Sequence, residues 1–127
     1  MGDSKADSNC VVWMEIPVAD LDRACRFYSA VMGREVGQEQ FEDCRYGVLV
    51  HGDGVGGCLV IDPDNISNKG VLVYLNTDGR LRDAVAQVAE QGGTVLEDVR
   101  SIDPFGFMAT ILDSEGNRIA LHSNTDA

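Results

Sequence analysis

The feature that most constrains this chain is an order of elements that occurs twice, offset by about sixty positions. Residues 11–18 are rich in β-branched and apolar side chains and read as a strand. Asp20 is placed to cap a helix in which Leu21, Ala24, Cys25, Tyr28, Val31 and Met32 recur three and four apart, and Gly33 stops it. Three short strands are expected next, over residues 35–41, 45–50 and 57–61, the last two separated by a glycine-rich turn. Residues 62–69 give the strongest loop signal in the chain and mark an internal boundary. The order then restarts: a strand over 70–76, a helix with Leu81, Ala84, Val85, Val88 and Ala89 on one face, and strands over 94–101, 107–112 and 118–122. In the helices Leu21 meets Leu81, Ala24 meets Ala84, Cys25 meets Val85, Tyr28 meets Val88, and Gly33 meets Gly93.

Neither half alone offers a four-stranded sheet enough cover. A chain of 127 residues suits one compact domain, so the halves must solve the problem together. The expected fold is α+β: two βαβββ modules, residues 11–62 and 70–123, with paired curved mixed sheets forming a concave cup and helices outside. Residues 1–10 are expected to be a flexible tail. A concave sheet surface is an ordinary place for a small molecule.

Several segments resemble one family. Val18-Ala-Asp-Leu-Asp-Arg-Ala-Cys-Arg-Phe-Tyr28 is similar to the V-x-D-x-x-R-A-x-x-F-Y opening of a vicinal oxygen chelate module. Gly92-Gly93 before a strand resembles the second module's opening, and Phe105 to Met108 with Asp113 to Ser123 resembles the closing hairpin of glyoxalase-like members. The superfamily holds lyases, dioxygenases, epimerases, transferases and drug-binding proteins that catalyse nothing, so the resemblance implies a fold rather than a reaction. Its metalloenzymes hold a divalent ion with His, Gln or Glu from the first and last strand of each module. Carried over, those positions fall on Trp13, on Val73 (Leu72 or Val71 after a slip), on Ala120, and on Val60 or Cys58. Three of the four cannot ligate in any register, so no metal cofactor is expected. The resemblance also implies a homodimer.

Strand alternation then sets what the cup would present. The ligand-binding candidates are Trp13, Glu15, Val60, Asp62, Val73, Leu75, Ala120 and His122. Trp13 is either core or pocket wall, and Glu15 either a solvated residue of an open sheet or a ligand-facing carboxylate, partly desolvated against that wall. His122, near a strand end, also fits a structural role; His51 reads as exposed, and Asp62 before Pro63 as turn chemistry. Two functions of different class follow. One is a metal-free protein that binds a small organic molecule; the other is a metal-independent lyase or isomerase, related to lactoylglutathione lyase, in which Glu15 or His122 moves a proton.

Composition removes several alternatives. A formal charge of −11 disfavours nucleic acid and anionic membranes as partners. Cys10, Cys25, Cys44 and Cys58 form no metal-binding spacing and read as buried free thiols. The polar, acidic start lacks the pattern of a secretory leader, and a cytoplasmic protein is expected.

Overall fold

The computed structural model describes residues 10–49 and 51–127. The tail expected over 1–10 (Cys10 aside) and Val50, the last residue of an expected strand, lie outside the described residues. The first module runs β1 (Met14–Val18), α1 (Leu21–Met32), β2 (Gly37–Phe41), β3 (Cys44–Leu49) and β4 (Gly57–Ile61). A single 3-10 turn, Pro63–Asn65, follows. The second module runs β5 (Val73–Asn76), α2 (Leu81–Glu90), β6 (Thr94–Ser101), β7 (Phe107–Leu112) and β8 (Arg118–Ser123). The architecture is α+β, with two open four-stranded mixed sheets ordered β1-β4-β3-β2 and β5-β8-β7-β6. In each, the first strand pairs in parallel with the last and the other pairings are antiparallel.

Local chemistry sets the helix ends. The Asp20 carboxylate accepts from the Arg23 N–H, a side-chain cap that satisfies one orphan donor. Gly33 ends α1 with φ of 69°, a left-handed conformation that glycine adopts without cost. Each helix covers one face of its sheet and the helices also pack on each other. One apolar core therefore runs through both modules, with Tyr28, Phe27, Leu59, Leu81, Ile111 and Leu121 fully enclosed. Close approach of α1 to its sheet requires glycine at position 47: a Cβ there would stand 2.8 Å from Cys25 Sγ.

Polar ties reinforce the joint between modules. The Tyr28 hydroxyl donates to Asp113 at 2.6 Å, and Asn117 Nδ2 donates to the Pro17 carbonyl at 2.7 Å. Glu115 accepts the Ala19 and Asp20 N–H groups, each at 2.9 Å, and the Arg23 guanidinium at 2.7 and 2.8 Å. The Phe-Tyr pair of the opening motif thus packs and bonds α1 against the other module. Among the described residues, no helix is long and apolar enough to cross a membrane.

The repeat departs from its expected register in the leading strands. Val18 to Leu21 is three positions, but Thr77 to Leu81 is four, with Gly79 at φ of 77° in the longer link. The helices keep their offset of about sixty while β5 slips one residue against β1. A slip of one turns every side chain to the opposite face.

Candidate functional site

The open face of the first sheet forms a groove of about 550 Å³, floored by β1, β3 and β4 and closed at one end by the β2–β3 turn. β1 leads into it from Trp13, and Glu15 pairs with Cys58 across the parallel ladder while Tyr46 pairs with Val60. Alternation explains the division: Ile16, Val18, Leu59 and Leu49 turn to the helix and are buried, so their neighbours turn outward. The wall is mostly apolar and aromatic, and much of it is uncovered: Trp13 is 43% exposed, Phe41 67% and Ile61 50%. His51 stands edge-on to Trp13, with ring centres 5.8 Å apart.

The ionisable groups of the groove divide clearly. Glu15 and Asp43 both line it, and neither has a hydrogen-bond or ion-pair partner among the described residues. Arg45 is the only cation among the lining residues, and its guanidinium donates to Gln38 at 2.7 Å and lies 3.9 Å from Asp22 of α1. Burial pushes the Cys58 thiol up, a hydrogen bond from Trp13 pulls it down, and the Glu15 charge adds to the rise. The net effect is upward, which favours the thiol over the thiolate.

The sequence candidates divide between several places. Trp13, Glu15 and Val60 share the groove, Trp13 on its wall rather than in the core. Glu15 is exposed, so the desolvation expected of it is absent. Val73 and Leu75 face the helix side instead, pairing with Ile119 and Leu121 within the core, because of the one-residue slip. Tyr74 and Asn76 take the outward places, opposite Ala120 and His122 on the open face of the second sheet. The His122 imidazole lies 2.7 Å from the Phe105 carbonyl oxygen and outside the groove. Asp62 ends β4 in turn chemistry: its N–H bonds the Val18 carbonyl and its carboxylate accepts from Asn65. Glu15 and His122, the two proton-transfer candidates, do not share this groove. Cys10 and Cys44 are exposed rather than buried, and all four cysteines are free.

Phe41, Asp43, Cys44 and Tyr46 were missed from the sequence. The signal for Tyr46 existed in the alternation of β3, but using it needed the β3–β4 register. Phe41 and Asp43 belong to a turn whose position no pattern fixes.

The metal positions of the resembled family can now be placed by register. Cys58 belongs to the first sheet, with Trp13 just before β1, and Ala120 to the second, where the slip makes Leu72, just before β5, the counterpart of Trp13. An indole, one thiol and two aliphatic side chains supply a single soft donor, which is no donor set for a hard or borderline divalent ion, so the residues do not fit one. Among the described residues, no group of three or more His, Cys, Asp or Glu is arranged to hold a metal.

Residues 12–122 match the glyoxalase-like domain family. No curated protein matches the chain. Among solved structures, a glyoxalase/bleomycin resistance protein from Albidiferax ferrireducens T118 superposes with a TM-score of 0.70 at 15% identity, covering 91% of this chain and 98% of that one. A glyoxalase-related enzyme from Fulvimarina pelagi gives 0.69 at 12% identity, with 92% and 89% covered. A glyoxalase I mutant from Zea mays gives 0.66 at 18% identity, covering 89% of this chain and 46% of that one.

Proposed function

The chain belongs to the glyoxalase-like domain family, and on that premise we propose that it binds a small organic molecule in the first-sheet groove without a metal ion. One observation carries this reading: the groove has an apolar, aromatic wall of ligand-pocket size, and of the four places where a metal would be held only Cys58 bears a donor atom, too few for a site. A thermal-shift screen of metabolites and antibiotics in the presence of a chelator tests it, because a ligand that binds only the folded state raises Tm. Stabilisation by a ligand with the chelator present supports the reading. Stabilisation that requires zinc, nickel or iron contradicts it.

A second reading, a metal-independent lyase or isomerase, is favoured by the position of Glu15. Its carboxylate stands in the groove without a hydrogen-bond partner and can take a proton from a bound molecule. Under this reading Glu15→Gln abolishes turnover of the ligand found in the screen, a loss far larger than any loss of its binding; turnover that survives the substitution rejects it. Both readings include a homodimer, since each sheet has two unpaired edges and presents an open face with exposed apolar side chains.

A further inference from the structure

We propose that the groove selects an organic cation: a protonated or quaternary amine carried on an apolar or aromatic body. This rests on the reading of the groove as the ligand site and adds the charge and chemical class of what enters it.

Three aromatic side chains, Trp13, Phe41 and Tyr46, line one groove in a chain that has eight. Trp13 and Phe41 keep large exposed surfaces, which a sheet in this position could have avoided with polar residues. Aromatic faces carry negative charge density, which attracts a cation placed within about 6 Å of a ring centre. The same groove holds Glu15 and Asp43, neither of them hydrogen-bonded or ion-paired among the described residues. The one cation among the lining residues, Arg45, is engaged with Gln38 and lies beside Asp22, and Gln38 itself donates to Asp22 at 2.6 Å. Its charge is thereby drawn toward α1, on the other side of the sheet. A carboxylate or phosphate ester entering the groove would face two carboxylates, with Arg45, already engaged by Gln38 and Asp22, as the one lining cation to offset them. A cation finds both charge and ring faces complementary, and the net charge of −11 enriches cations around the whole molecule.

Trp13 is the chain's only tryptophan, so its fluorescence reports on this groove directly. The test titrates the full chain, with chelator present, with three probes of one shape: benzyltrimethylammonium, benzyl alcohol and phenylacetate. The proposal predicts that the ammonium binds at least tenfold tighter than either of the others. It predicts also that Glu15→Gln removes most of that preference while leaving the weak binding of benzyl alcohol unchanged; Asp43→Asn serves as the second variant. Phenylacetate binding as tightly as the ammonium, or a preference untouched by both variants, overturns the cation assignment and leaves the groove as the site. If no probe moves the Trp13 signal or Tm, the groove is not the ligand site and both readings fall. A Trp13 signal that follows only protein concentration, in step with dimerisation by sedimentation, makes the groove an interface between copies and likewise rejects the proposal.

Discussion

Glu115 is the residue on which the joint between modules depends most. Its side chain is fully enclosed while its partner Arg23 is 46% exposed. Burial alone would push the carboxyl up. The hydrogen bond from Arg23, the Asp20 N–H, the Ser114 hydroxyl and the Ala19 N–H together outweigh it and hold Glu115 at about 2, against an ordinary 4.5. A carboxylate with a depressed folded-state pKa contributes stability above its unfolded value and loses it as pH falls through the folded one. With Arg23 half-exposed, solvent screening reduces the contribution to on the order of 2 kcal/mol. It is complete above about pH 4.5 and disappears toward pH 2. Urea unfolding at several pH values should show this loss, and Glu115→Gln should be less stable at pH 7 by about 2 kcal/mol, with a shallower acid dependence. A variant with the same acid slope as the parent would show that other carboxylates carry it. Tyr28 is the second such residue. Burial, then the Asp113 charge, pushes its phenol well above the ordinary value, so it remains a neutral donor. Asp113 also accepts the N–H groups of Glu115, Gly116 and Asn117, each at 2.9 Å. Tyr28→Phe removes one donor from this buried carboxylate and should cost about 2 kcal/mol by the same measurement.

At the scale of elements, the helices were legible and the first strand of the second module was not. Stripes such as Leu21, Ala24 and Val31 fix a helix face whatever lies beyond its ends, and both helices stand where the periodicity puts them. β5 is only four residues long, Val73–Asn76, and its sequence Val-Tyr-Leu-Asn alternates too weakly to choose a face. Its face is set by the length of the link to α2, where one added residue turns Tyr74 outward and Leu75 inward. The groove was half legible for a related reason. Trp13, Glu15 and Val60 follow from alternation along one strand, whereas Tyr46, Phe41 and Asp43 depend on pairing and turn position across strands. The packing of α1 on the first sheet allows a sharper test. Gly47→Ala would place its Cβ 2.8 Å from Cys25 Sγ and 3.3 Å from Val36 Cγ1. It should destabilise by about 1–3 kcal/mol, and adding Cys25→Ala should restore part of that loss, giving a favourable coupling in a double-mutant cycle. Strictly additive effects would mean that α1 does not press on the sheet at this point.

For the whole molecule, the two helices and the core lie between sheets whose other faces are uncovered. That division puts the apolar core on one side of each sheet and an open face on the other. The open faces differ in chemistry: the first presents Trp13, Phe41, Glu15 and Asp43, the second Tyr74, Asn76, His122 and Arg118. Sedimentation at rising concentration should show a homodimer, and a clean monomer at high concentration would count against it. The most direct test of the account as a whole is amide chemical-shift mapping of the labelled chain, kept in chelator, as indole and benzyltrimethylammonium are added. The account predicts shifts concentrated at Trp13, Glu15, Phe41, Cys44 to Tyr46 and Cys58 to Ile61, without any metal. Shifts gathered instead on the second sheet, or none until a divalent ion is supplied, would contradict it.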